Sequence, residues 1–92
     1  MRILDLGIDF PEIEAVSERQ KEYAEQLKIA YVTDNEERFR EIDEMVSREI
    51  DVRNMDYQDE ALDTFREEFT DKEKTVLYGV SAGAIIARLK RV

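Results

Sequence analysis

Residues 17–53 read SERQKEYAEQLKIAYVTDNEERFREIDEMVSREIDVR, and the spacing of their apolar positions decides the fold class. Tyr23, Leu27, Ala30 and Tyr31 recur at helical intervals, and Ser17 followed by Gln20 is a capping-box pattern. A first helix is expected over about 17–32. Thr33, Asp34 and Asn35 interrupt the stripe, and either Thr33 with Glu36 or Asp34 with Glu37 suits the start of a second helix. No glycine or proline enforces the break. A single rod from 17 to 53 would be roughly 55 Å long at 1.5 Å per residue, long for so small a domain, so two helices are expected. The second, about 35–53, carries Phe39, Ile42, Val46 and Ile50 on one stripe with Met45 beside it. Glu36/Arg40, Glu44/Arg48 and Glu49/Arg53 pair at i,i+4 in the favoured orientation.

Outward from this segment the periods change. On the N-terminal side Leu4, Leu6, Ile8 and Phe10 alternate with polar or small residues, the period of a half-buried strand, and Pro11 stops the run. On the C-terminal side Tyr57, Ala61, Leu62, Phe65 and Phe69 predict a third helix over about 57–69 with Asp56 as its N-cap. The run Thr75, Val76, Leu77, Tyr78 reads equally as a strand or as the end of a helix. Ser81 caps a last helix with Ala82, Ile85, Ile86 and Leu89 inward, and Arg88, Lys90 and Arg91 sit where positive charge suits the helix dipole. The expected fold is mainly α, a compact bundle of three or four helices in a single domain, 1–92. A two-stranded β ribbon between residues 3–10 and 75–80 is left open.

Composition narrows the chemistry. A chain of 92 residues supports one modest core. It has no cysteine, hence no disulfide, thiolate nucleophile or sulfur metal site, and no histidine, the usual general base and zinc ligand. A non-enzyme without cofactor is expected. Asp56, Asp59 and Glu60 are clustered, but the turn glycine of a calcium loop is missing, and no metal site is expected. No run of 18 apolar residues and no signal-like start are present, which reads as a cytosolic protein. The net charge of −9 is unevenly placed: residues 34–73 hold 16 acidic and 6 basic side chains, so the whole excess lies there. Such a field repels phosphate backbones and attracts basic surfaces.

Three short patterns suggest functions. Gly79-Val80-Ser81-Ala82-Gly83 reads G-x-S-x-G, and this stretch is similar to the nucleophile elbow of patatins and aspartyl dipeptidases. That resemblance implies a serine hydrolase, but the serine needs a base and the chain has no histidine. The same stretch resembles the turn of tetracycline-repressor-type regulators. A helix-turn-helix would then use Gly79, Val80 and Ser81 as the turn and Arg88, Lys90 and Arg91 on phosphate. In the helix before that turn, Lys74 and Thr75 stand where a buried aliphatic and an alanine belong. Finally, residues 17–28 look like the S-E-K-Q-I-x-W-A-E-x-I-R segment of small helical proteins of Gram-positive phages, plasmids and integrated elements. Ser81-Ala82 with Ile85-Ile86 is similar to their Ser-Ala-x-x-Trp-Ile ending. Here Lys21 and Tyr23 replace the apolar residue and the tryptophan. This resemblance implies a mobile-element origin and carries no shared activity.

The function expected from these readings is that of a small acidic interaction protein. Its partner would be a basic, nucleic-acid-binding protein, engaged by nucleic-acid mimicry of the anti-restriction or anti-CRISPR type. Asp59, Glu60, Asp63, Glu67 and Glu68 are the expected contact residues. One alternative is a DNA-binding regulator using residues 75–91 through Arg88, Lys90 and Arg91. Another is a virion or assembly protein in which residues 3–10 extend a neighbour's sheet and the chain forms a homo-oligomer.

Overall fold

The computed structural model describes residues 1–53 and 58–90. Among them are five α-helices: α1 (Glu18–Asp34), α2 (Glu36–Arg53), α3 (Gln58–Thr64), α4 (Asp71–Tyr78) and α5 (Ala82–Leu89). A 3-10 turn, η1 (Arg66–Glu68), lies between α3 and α4. The fold is mainly α, as the periodicity predicts, but with more and shorter helices than three or four. No described helix is long and apolar enough to cross a membrane.

The break between α1 and α2 falls at Asn35, whose backbone leaves the helical region at φ −124° and ψ 40°. Its N–H reaches back to the carbonyls of Tyr31 and Val32, and its Nδ2 donates to Tyr31 O at 2.8 Å. The side-chain amide thus adds a second donor to a carbonyl of the last turn, and the chain bends there without glycine. A bend is required, because 36 unbroken helical residues would span about 54 Å and the longest dimension of the molecule is 40 Å. At the other end Ser17 caps as expected, accepting from Gln20 N at 3.2 Å. Gln20 Oε1 accepts from Val16 N rather than from the cap residue itself.

Helix α2 buries Phe39, Ile42 and Val46, with Ile50 half-buried, as its stripe predicts. Phe39 is the hub: Tyr31 meets it edge-on with centroids 6.0 Å apart, and Phe10 lies at 6.5 Å. The expected pairs Arg40–Glu36 and Arg48–Glu44 form at 3.4 and 3.7 Å. The Arg53 side chain of the third pair lies outside the described residues. A stronger pair was not expected: Arg38 Nε donates to Glu73 Oε2 at 2.8 Å, with Glu73 only 8 % exposed. Glu73 also completes the capping box of α4 with Thr70. Burial pushes the Glu73 carboxyl up, but the Arg38 hydrogen bond and the Thr70 backbone N–H outweigh this and hold it below the ordinary range.

Residues 3–10 and 75–80 do not pair as strands, because 75–78 belong to α4 and the N-terminal segment finds other partners. Phe10 N donates to Met1 O at 2.7 Å, closing the first ten residues into a loop. Gly7 N donates to Asp43 Oδ2, and the Gln58 amide donates to Asp9 O while accepting from Asp9 N, standing in for a neighbouring strand. The alternation survives in part: Leu6, Ile8 and Phe10 are buried, but a positive φ of 55° turns Leu4 outward and Ile3 takes its place. The predicted third helix is also shorter. Asp56 and Tyr57 lie outside the described residues, α3 ends at Thr64, and Phe65 begins the tighter η1. Ala61, Leu62 and Phe69 are nevertheless buried as expected.

Two stability effects follow. Phe39→Ala removes the hub ring and costs about 3–5 kcal/mol, read as a lower urea midpoint. Because the folded Glu73 carboxyl is the stronger acid, its contribution is complete above the ordinary glutamate range and is lost as pH falls through its folded value. Glu73→Gln therefore flattens the acid limb of a stability-versus-pH curve, measured by urea unfolding between about pH 6 and 3.

Candidate functional site

The elbow between α4 and α5 gathers more chemistry than any other part of the described chain. Helix α4 starts at the Thr70–Glu73 capping box and ends at Gly79, whose N–H donates to Thr75 O at 2.9 Å. A Cβ on Gly79 would collide with that carbonyl and lie 3.2 Å from Ile85 Cγ1, so the close turn requires glycine. Ser81 opens α5, its Oγ accepting from Ala84 N at 3.4 Å. The N-terminal segment clamps the elbow from one side through a parallel bridge. Glu14 N donates to Val80 O at 2.7 Å, and Ala82 N donates to Glu14 O at 2.9 Å.

Helix α1 clamps it from within the core. Lys28 is fully buried, and its Nζ donates to Gly79 O at 2.6 Å. That carbonyl is an end group that α4 cannot satisfy itself. Desolvation lowers the Lys28 amine to about 8. The helix is accordingly turned from the expected orientation: Ala24, Lys28 and Val32 point inward, Leu27 and Tyr31 are half-buried, and Tyr23 and Ala30 are exposed. Sequence reasoning missed Lys28 because a lysine counts as a surface residue. Its signal was the spacing, one lysine set four residues from Ala24 and four from Val32.

Outside the elbow lies an open groove of about 420 Å³. Its floor is Gly79, Val80, Ala84 and Ile85, and Arg66, Lys74 and Arg88 stand around it with Asp71. The Arg66 guanidinium lies over the Tyr78 ring, 4.5 Å from its centroid, a cation–π contact. The Tyr78 hydroxyl is buried and makes no hydrogen bond among the described residues. Burial, then Asp63, raise its pKa, against a smaller opposing effect of Arg66.

The sequence-predicted site residues fall in two places. Asp59, Glu60 and Asp63 lie on α3, and Glu67 and Glu68 on η1, all exposed. Asp59 and Asp63, one helical turn apart, line a second hollow beside Pro11, Leu77 and Tyr78, whereas Glu60, Glu67 and Glu68 do not. Asp63 lies 3.5 Å from Arg66, while the carboxylates of Asp59, Glu60, Glu67 and Glu68 form no ion pair among the described residues. Of the other set, Arg88 lines the groove, Lys90 is exposed just past α5, and Arg91 lies outside the described residues. The elbow joins two helices, not a strand to a helix, and among the described residues no carboxylate or amine is bonded to Ser81 Oγ. Among the described residues no three acidic side chains converge so as to hold a metal ion; Asp56, the neighbour in sequence of Asp59 and Glu60, lies outside them.

The Lys28 environment sets an alkaline signature. The amine binds its proton less tightly folded than unfolded, so stability rises as pH climbs from about 8 to 10.5. The full change is about 3 kcal/mol. Lys28→Met removes that rise, which urea midpoints between pH 7.5 and about 9.5 read directly. No protein-family model matches the chain, and neither a curated protein nor a solved structure matches it, so its chemistry rests on its own residues.

Proposed function

We propose that this chain is an acidic interaction protein that presents the carboxylates of α3 and η1 to a basic, nucleic-acid-binding protein and so competes with nucleic acid for it. The observation that carries this reading is the set of four exposed carboxylates, Asp59, Glu60, Glu67 and Glu68, that no cation of the described chain neutralises. Elsewhere in residues 34–73 the arginines are engaged internally: Arg38 with Glu73 and Glu41, Arg40 with Asp5 and Glu36, Arg48 with Glu44. The unpaired carboxylates of α3 and η1 steer a cationic surface towards that side of the molecule. The resemblance of residues 17–28 to small phage and plasmid proteins fits an inhibitor of the anti-restriction or anti-CRISPR type, acting in the host cytosol.

A second reading, a DNA-binding regulator, is favoured by the order α4, three-residue turn, α5. Its weakness is chemical: the exposed positions of α5 are Gly83, Ala84, Ala87 and Arg88, which offer one side-chain donor to base edges.

The test is capture of partners from bacterial lysate, washed at low and then high salt, with the intact protein and with Asp59, Glu60, Asp63, Glu67 and Glu68 all changed to Lys. A basic nucleic-acid enzyme that elutes with salt is expected, held about tenfold or more weakly by the reversed protein. Equal retention and equal salt dependence of the two would sink the mimic. Loss of duplex binding on replacing Arg88 and Lys90 would instead favour the regulator.

A further inference from the structure

We propose that the α4–α5 groove is a binding site for a small organic anion, a phosphate monoester or carboxylate carried on a compact apolar body. The site adjoins the acidic face at Arg66 but does not depend on that face's partner. Its polar inventory is almost entirely donor. Arg66, Lys74 and Arg88 supply cationic donors, and among the described residues neither Lys74 nor Arg88 is in an ion pair. Ser81 Oγ accepts from Ala84 N and keeps its own proton to donate. Asp71 is the one carboxylate in the lining. Three cations thus converge on one groove of a chain whose net charge is −9, and charge-assisted donors of this kind recognise carboxylate and phosphate oxygens.

The floor selects what carries the anion. Gly79, Val80, Ala84 and Ile85 are apolar or bare backbone, and the elbow that holds them is fixed by the Lys28 and Glu14 hydrogen bonds. Lys74 on α4 and Arg88 on α5 therefore stand on a rigid frame. A volume of about 420 Å³ lies in the range of small-molecule sites. Size and field together favour a single small anion over a polyanion. The local cations act within a screening length of roughly 8 Å, whereas a nucleic acid would also meet the repulsive carboxylates of α3 and η1.

Amide chemical shifts of the intact protein, titrated separately with phenyl phosphate, benzoate and inorganic phosphate, test the site. Saturable shifts at Thr75, Tyr78, Gly79, Ser81 and Ala84 are expected from phenyl phosphate or benzoate. The stronger of the two identifies the headgroup, and inorganic phosphate, lacking the apolar body, binds more weakly. Lys74→Gln combined with Arg88→Gln should weaken binding about tenfold or more while leaving the thermal midpoint near that of the parent, because Arg88 is exposed and Lys74 only half-buried. Shifts that do not saturate, shifts scattered over remote cations such as Arg2 and Arg19, or a double variant that binds like the parent would overturn the site. So would tighter binding of a short DNA duplex to the same residues, which would make the groove a phosphate-backbone contact. Failure here leaves the lysate capture unaffected, so the two readings fall separately.

Discussion

A lysine amine sits in the middle of this small core, and the arrangement of the C-terminal half depends on it. Gly79 O ends α4 and turns inward, where an unpaired carbonyl carries a desolvation cost of about 1–3 kcal/mol. Lys28 Nζ meets it at 2.6 Å, and among the described residues no other side chain is bonded to that oxygen. The contact joins α1 to the elbow across 51 positions of sequence. It also determines which face of α1 is turned towards α5, the helix with which α1 packs most extensively. The same geometry requires glycine at 79 and brings Ser81 to the surface as the cap of α5. A buried amine with no carboxylate beside it is costly in itself, which is why its proton is held so loosely. It persists because an apolar residue at 28 would leave the carbonyl unsatisfied.

The remaining charge is sorted rather than mixed. Arg38, partly exposed, pairs with the buried Glu73, which is also part of a helix cap, so α2 and α4 are joined by an interaction with geometric specificity. The pairs of Arg40 and Arg48 are exposed and contribute little stability. They occupy Arg40 and Arg48 of α2, and among the described residues Asp59, Glu60, Glu67 and Glu68 of α3 and η1 are in no ion pair. On the neighbouring face, Arg66, Lys74 and Arg88 gather around the elbow groove. Arg66 stands at the boundary, near Asp63 on one side and stacked on Tyr78 on the other. The acidic-face reading and the anion-groove reading thus describe opposite signs of one polarised surface.

Legibility in the sequence followed the kind of interaction involved. The stripe of α2, the Ser17 and Ser81 caps and the break near Asn35 are local consequences of spacing and side-chain type, and all were readable. The five acidic residues were readable as a cluster, but their division between the Asp59–Asp63 hollow and the outer carboxylates was not. The strand-like alternation of residues 6–10 was real, yet the N–H groups of Gly7 and Asp9 go to Asp43 and Gln58, side chains 36 and 49 positions away. Period alone could not distinguish a strand paired with another strand from an extended segment paired with side-chain amides and carboxylates.

By itself the sequence determined that this protein is helical, acidic in its middle, and without thiol or imidazole chemistry, because helix periodicity, capping and composition act within a few residues. Only the tertiary structure decided that Lys28 belongs to the core, that α1 is rotated to place it there, and that Lys74 and Arg88 face one groove. Those outcomes depend on where distant backbone carbonyls and cations come to rest. A lysine's placement in water or in the core is set by whether the fold offers its amine an acceptor, and here that acceptor is Gly79 O.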